Sequence, residues 1–245
     1  MKRILILGAT SAVARAVAGA FAGQGDQLFL GARNPAELDR IQADLRVRFG
    51  VPVDTGFLEA GDVESHPAFI QQALTSLGGL DVVVFAIGLL GEQPEASHHP
   101  AQALDLIRIN FGSAVSLLAP LANFLESRQK GAIVGISSVA GDRARQSKYV
   151  YDAAKGGLSL YLQGLRNRLE PSGVRVYTVK PGFVDTSMTY GLPGLFLVAQ
   201  PDQVARWIVK MVEKNSGVYY MPWFWKWIML IIKLIPEFIF KKMKM

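Results

Sequence analysis

Cysteine is absent from this 245-residue chain. A thiolate nucleophile, a disulfide framework and a sulfur-ligated metal are therefore excluded, and a reducing cytosol suits the composition. Histidine is scarce: His66, His98 and His99 lack a carboxylate pattern that suggests a metal, and all three are expected in loops or on the surface. Internal repeats and low-complexity linkers are missing, which removes any domain boundary before residue 222. An uninterrupted apolar run of membrane-spanning length is missing too. The longest candidate, Trp223 to Ile235, covers 13 residues and carries two lysines, too short and too charged for a confident span. A basic stripe interleaved with stacking aromatics is also lacking, so nucleic acid is not an expected partner.

Half of the residues are apolar and the net charge is +6. The charge is uneven. Lys226, Lys233, Lys241, Lys242 and Lys244 face Glu237 alone, so the tail carries +4 and everything before it only +2. A phosphate-bearing ligand or an anionic membrane surface could each use that excess. The opening "MKRILILGATSAVARA" imitates a secretory signal, but Gly8, Thr10 and Ser11 break its apolar run early, and cleavage is not expected.

Short aliphatic runs alternate with helix-period segments. "RILIL" (3–7), "QLFLG" (27–31), "LDVVVFA" (80–86), "GAIVGIS" (131–137) and "VRVYTVK" (174–180) read as buried parallel strands. "PVDTGFL" (52–58) and "GVYYM" (217–221) are weaker strands. Helices are expected near 12–23, 35–49, 65–77, 101–127 and 149–170. This alternation implies an α/β fold, one doubly wound Rossmann-type parallel sheet flanked by helices. The expected units are a domain over 1–221 and an apolar, basic extension over 222–245.

After the first strand, "LGATSAVARA" is a turn into a helix. Free N–H groups and the helix dipole at such a point favour an anion, and in a dinucleotide fold the pyrophosphate sits there. Of three expected glycines only Gly8 is present; Ala12 and Ala14 take the other places, where a methyl would crowd any site needing φ > 0. An ordinary strand–turn–helix remains the alternative. The second strand ends in "LGARN", with Arg33 where an acid would contact ribose hydroxyls. A guanidinium there would clamp a 2′-phosphate, pointing to NADP rather than NAD; a solvated loop arginine is the plainer reading.

Tyr151 and Lys155 lie four apart, one turn of a helix, so they share a face. With these pieces in order, the chain resembles the short-chain dehydrogenase/reductase family over residues 1 to about 220. "GATSAVA" resembles its glycine-rich turn and "GDV" its adenine-contacting segment, with Asp62 and Val63 at the matching places. "RINFGSAV" resembles the helix supplying an active-site asparagine, here Asn110. "IVGISSVAG" resembles the strand end supplying a serine, here Ser138. "YDAAK" matches Y-x-x-x-K, and "KPGFVDTSM" matches P-G-x-x-x-T. The family's "Asn-Asn-Ala-Gly" is "FAIG" here, with Phe85 and Ala86 expected to replace hydrogen bonds by packing. The resemblance implies an NADP-dependent oxidoreductase of CH–OH and C=O groups, with Asn110, Ser138, Tyr151 and Lys155 catalytic. It implies cofactor contacts from Gly8, Thr10, Ser11, Ala12, Val13, Arg33, Asp62, Val63, Gly88, Tyr151, Lys155, Pro181, Gly182, Val184 and Thr186. No metal is implied.

Ionising an unperturbed tyrosine at pH 7 costs roughly 4 kcal/mol, since its pKa is ~10 and each unit is ~1.36 kcal/mol. An ammonium ~4–5 Å away supplies about that much at an effective dielectric of ~20, so Lys155 is expected to acidify Tyr151. Ser138 would orient the reacting oxygen, and Asn110 would hold a water linking Lys155 to solvent. Tyr149 falls off the lysine's face, in the substrate pocket or in packing.

"SMTYGLPGLFLVAQP" (187–201) occupies the place of the family's substrate lid, with hinges at Gly191 and Gly194. Its Leu192, Leu195, Phe196 and Leu197 either meet an apolar part of the substrate or pack the lid. In the tail, Pro236 is expected to divide two helices. Tryptophans at one end and lysines at the other suit a membrane interface; burial between subunits of a homo-oligomer is the alternative. The lid and the ending "VYYMPWFWKWIMLIIKLIPEFIF" are similar to reductases of polyprenyl-phosphate-linked ketopentoses. That implies a lipid-linked carbonyl substrate and a cytoplasmic protein attached peripherally to the inner membrane face. A soluble reductase of small ketones, acyl chains or steroids is the second reading, and a non-catalytic NADP sensor the third.

Overall fold

The structure is a computed structural model that describes residues 1–191 and 195–243. Seven strands form one sheet in which every neighbouring pair is parallel, in the order β3-β2-β1-β4-β5-β6-β7. They are β1 (Arg3–Leu7), β2 (Gln27–Ala32), β3 (Val53–Phe57), β4 (Val82–Phe85), β5 (Ala132–Ile136), β6 (Arg175–Pro181) and β7 (Gly217–Met221). Five fall on the aliphatic runs, and β3 and β7 fall on the two weaker ones. β1 lies between β2 and β4, so the chain reverses its direction of travel there. That leaves the crevice beyond the strand ends in which such folds hold ligands.

On one face lie α1 (Ala12–Ala22), α2 (Pro35–Phe49) and α8 (Pro201–Met211); on the other lie α3 (His66–Leu77), α6 (Ser113–Ser127) and α7 (Tyr149–Leu169). The first core joins Val17, Phe21, Leu38 and Ile208 to Ile4 and Ile6. The second joins Phe69, Leu117, Leu121 and Leu162 to Leu5, Leu7 and Val83. Helix ends obey local chemistry. Asn34 caps α2 by accepting from the Glu37 N–H at 3.1 Å, and Pro35 follows it at the first turn.

The helix expected over 101–127 is divided. After a short α4 (Gln93–His98), α5 (Pro100–Ile107) passes through a π-turn, Arg108–Gly112, before α6 begins. Side chains inside the turn explain the break. Asn110 Nδ2 donates to Leu106 O at 2.9 Å and Ser113 Oγ to Ile109 O at 2.6 Å, so side chains compete with the backbone ladder four residues back. The α5–α6 stretch is the one helix among the described residues long and apolar enough to cross a membrane, but Leu117, Leu118, Leu121 and Leu125 lie in the second core.

Two readings are corrected. Helix α8 was not expected, although Pro201 opens it and Val204, Ala205, Ile208 and Val209 form its buried stripe against α1. His66 is not a surface residue. It is fully buried, with Nδ1 2.9 Å from Ser116 Oγ and Nε2 3.1 Å from Glu59 O, a polar bridge from α3 to α6. The tail forms α9 (Trp225–Leu234) and α10 (Glu237–Phe240), divided at Pro236 as expected. Trp225, Met229 and Phe240 are buried against the body.

Candidate active site

The first turn depends on Gly8. Its φ is +84°, and a β-carbon there would stand 2.9 Å from Ile87 N, so both conformation and space demand glycine. Gly8 and Ala9 N–H both donate to Gly31 O, at 2.8 and 3.0 Å, folding the turn against β2. Ser11 then caps α1 by accepting from Ala14 N–H at 3.2 Å. The N–H groups of Ala12 and Val13 precede the first intrahelical bond and, with Thr10, form the helix N-terminus. Ala12 and Ala14 lie within α1 and neither has a positive φ, so the feared crowding does not arise. Free N–H groups at a helix N-terminus of this kind can hold an anion.

Arg33 is exposed just past the end of β2. Glu37, the first acid after it, is shared by Arg15 at 3.0 Å and Arg40 at 3.3 Å, which leaves the surroundings positive. Asp62 and Val63 begin an exposed 3-10 turn after β3, with Asp62 N–H donating to Glu59 O at 3.1 Å.

The proposed catalytic side chains converge beyond the ends of β4 and β5. Lys155 is 3 % exposed, and its Nζ donates to Ile87 O at 3.3 Å and Ile136 O at 3.2 Å, tying the two strand ends together. Gly88 leaves room beside it: a β-carbon there would sit 3.2 Å from Lys155 Nζ and 3.5 Å from Asn110 Oδ1. Asn110 is fully buried. Its Nδ2 also donates to Leu89 O at 2.8 Å, and its Oδ1 accepts from Leu89 N–H at 3.0 Å, so the amide fixes the segment after β4. Both donors are thus engaged, while Oδ1 keeps a lone pair. Ser138 Oγ accepts from Ala140 N–H at 3.1 Å, capping the 3-10 turn Val139–Asp142, and its hydroxyl stands beside the Tyr151 phenol. Gly141 presses on α7: a β-carbon would come within 2.7 Å of the Lys155 carbonyl. Tyr149 is half exposed and its hydroxyl lies 3.1 Å from Ser97 Oγ, off the Tyr151 face.

Electrostatics overturn one expectation. Burial pushes the Tyr151 phenol up to about 12; Ser138 opposes the rise, Asp152 adds to it and Arg145 opposes it. Burial likewise brings Lys155 down to about 8. Burial outweighs the charges around the phenol; the Lys155 ammonium donates to two carbonyls and lies 5.9 Å from the centre of the Tyr151 ring. Both groups are poised toward neutrality.

Pro181 ends β6, and Val184 pairs with Ala199. Asp185 N–H donates to Ala199 O and Ala199 N–H to Phe183 O, both at 2.9 Å, closing the neck of the loop that carries Thr186. Thr186 N–H donates to Thr189 Oγ1 at 3.2 Å. Phe196, Leu197 and Val198 are exposed; Leu192 and the hinge at Gly194 lie outside the described residues.

Sequence reasoning missed several neighbours. Trp225 from the tail covers Gly182, where a β-carbon would be 2.0 Å from the indole nitrogen, and packs on Phe183 and Phe196 at 5.6 and 5.5 Å. Asp142 accepts from Lys180 Nζ and, at 2.6 Å, from the Tyr220 hydroxyl, joining the Ser138 turn to β6 and β7. Arg143 binds the tail. No sequence spacing announces these pairs, which are joined only by the fold.

The short chain dehydrogenase family model matches residues 2–193. An uncharacterised oxidoreductase of Mycobacterium tuberculosis is 31% identical over 240 residues, covering 98% of this chain and 96% of that one. An uncharacterised oxidoreductase of Streptomyces coelicolor is 30% identical over 245 residues, covering 99% and 96%. Among solved structures, a short-chain dehydrogenase from Sphingobium yanoikuyae in complex with NADPH superposes with a TM-score of 0.84, at 24% identity and 97% of both chains. An actinorhodin polyketide ketoreductase with NADPH gives 0.80 at 21% identity, covering 89% of this chain and 95% of that one.

Proposed function

The chain belongs to the short-chain dehydrogenase family, and on that premise we propose that it is an NADPH-dependent carbonyl reductase whose proton donor is Tyr151. The observation that carries this reading is the convergence of buried Tyr151 and Lys155 with half-buried Ser138 beyond the ends of β4 and β5. NADPH, when bound, supplies the hydride. With its pKa near 12, Tyr151 holds its proton at neutral pH and can give it to a carbonyl oxygen that gains negative charge. The Ser138 hydroxyl, beside the phenol, orients that oxygen. Lys155, at about 8, is the stronger acid of the two by roughly 5 kcal/mol, so a proton lost from Tyr151 is restored from the lysine side. Asn110 holds the segment that walls the lysine in, and its Oδ1 and the lysine Nζ lie against the same residue, Gly88.

The α1 N-terminus takes the pyrophosphate and Arg33 the 2′-phosphate, which favours NADP over NAD. Substrate specificity belongs to the loop after Thr186 and to the tail. The exposed Trp227, Leu230, Ile231 and Leu234 lie on the side of α9 opposite buried Trp225 and Met229, with Lys226 and Lys233 along one flank. Such a face suits an anionic membrane surface and hence a lipid-linked keto-sugar as substrate. A second copy of the chain is the other occupant that an apolar face could take.

The test is a screen of NADPH oxidation across ketones, lipid-linked keto-sugars included, with Tyr151→Phe in parallel. The variant should bind NADPH normally while turnover falls by about 10²–10⁴. Undiminished turnover in the variant ends the assignment.

A further inference from the structure

The tail could have been a loosely attached anchor. Its contacts are otherwise. Arg143 lies five residues beyond Ser138, directly after Asp142 at the end of the 3-10 turn. Its Nη1 donates to Ile232 O at 2.7 Å, Ile235 O at 2.5 Å and Lys233 O at 3.2 Å. Those carbonyls lie at the C-terminal end of α9, where Ile232 O also accepts from the Ile235 N–H at 3.3 Å, and a cation there is favoured by the helix dipole. Its Nη2 donates to Glu237 at 3.0 Å, and the guanidinium lies 3.8 Å above the Phe240 ring. The Arg143 side chain is 14 % exposed and Phe240 is buried beneath it, while Glu237 stays open to solvent on the outer side.

The turn itself has little freedom. Asp142 holds it to β6 through Lys180 and to β7 through Tyr220. Gly141 sets it backbone against backbone on α7 at Lys155. The tail meets the same region again where Trp225 covers Gly182.

We infer that Arg143 is a positioning residue: it fastens the C-terminal helices to the turn that carries Ser138, so residues 222–243 help to set where the Ser138 hydroxyl stands relative to Tyr151. This rests on Ser138 belonging to the reaction site. It also makes the only acid of the tail an internal partner of Arg143, leaving Lys226, Lys233, Lys241 and Lys242 uncompensated.

The chain contains no cysteine, so Ser138→Cys places a single thiol on the turn. Its rate of labelling by a disulfide reagent in the full-length protein reports how firmly the turn is held. In Ser138→Cys with Arg143→Met the rate should rise at least ~10-fold, because the local opening free energy falls. Phe240→Ala, which alters only the tail, should act in the same direction, and Arg143→Lys should give an intermediate rate. A thiol at Ala73→Cys, buried in α3 away from the tail, should label no faster when Arg143→Met is added. Unchanged labelling at position 138 in both the Arg143→Met and Phe240→Ala backgrounds overturns the inference. So does an equal rise at position 73, which would mean general loosening. If Arg143→Met does not fold, Phe240→Ala and Arg143→Lys decide the matter. Labelling is independent of turnover, so loss of the Tyr151 assignment and loss of this one are separately visible.

Discussion

The carbonyl of Lys155 accepts a 2.9 Å hydrogen bond from Ser137 Oγ, while the ammonium of the same residue reaches back to Ile136 O at 3.2 Å. One lysine is thus held at both ends by the end of a single strand and its following residue. Its charge is stabilised by two carbonyls but taken out of water, and burial is what lowers it to about 8.

Lys155→Met should therefore be more stable than the parent at pH 7, by about 1–3 kcal/mol, while losing turnover. Two and a half pKa units correspond to a ceiling of about 3 kcal/mol, reduced by the lost hydrogen bonds. The sign follows from proton counting. Between pH 8 and 10.5 the unfolded lysine binds more protons than the folded one, so stability from this residue rises with pH across that window and is flat below it. Urea unfolding of both proteins at pH 7 and pH 10 checks this: the gap should shrink at the higher pH. A parent more stable than the variant at pH 7 would contradict it.

Gly182→Ala should destabilise by about 1–3 kcal/mol, since the new methyl meets the Trp225 indole at 2.0 Å. Adding Trp225→Leu should recover part of the loss. Denaturant midpoints of the two single variants and the double variant give the coupling directly.

Arg33→Ser should weaken NADPH binding by about 10- to 100-fold, the value of a charge-assisted contact, and leave NADH binding nearly untouched. Fluorescence titration with each dinucleotide measures it. Equal loss for both would show that Arg33 does not meet a 2′-phosphate.

Ile231→Asp with Leu234→Asp should abolish flotation of the full-length protein with anionic vesicles without changing its folding, because both side chains point outward, 67% and 73% exposed. Chain truncation after Met221 is a poorer test, because Trp225 and Phe240 are part of the body's packing. A parent protein that stays with the soluble fraction as a defined oligomer would instead favour a second copy of the chain on this face.

His66→Leu should cost about 1–3 kcal/mol, since Ser116 and the Glu59 carbonyl each lose a buried partner. Thermal unfolding reads it.

The five inner strands were legible because parallel strands covered on both faces must be continuous aliphatic runs, which few other elements resemble; the edge strands β3 and β7, partly open to solvent, carried a weaker signal. The Tyr151–Lys155 face was legible because both residues lie on one helix, where spacing in sequence fixes spacing in space. The π-turn at Asn110 was not, because it comes from side chains competing for carbonyls inside an otherwise good helical pattern. Helix α8 carried its signal in Pro201 and the stripe Val204–Val209, overshadowed by the loop before it. His66 and Arg143 were illegible for a different reason: their partners lie 50 and 89 to 94 residues away, and no local rule connects them. The pKa of Tyr151 was misjudged because distance to a charge can be guessed from a helix, whereas the depth of burial cannot.

The pairing of Val184 with Ala199 brings the loop between them back to its point of departure. A segment tethered at both ends in this way can lengthen, shorten or change its side chains at small entropic cost, and β6 and α8 on either side need not adjust. If the proposed function holds, appetite for one carbonyl compound or another can drift by exchange of that segment, while the residues proposed to hand over the proton stay as they are.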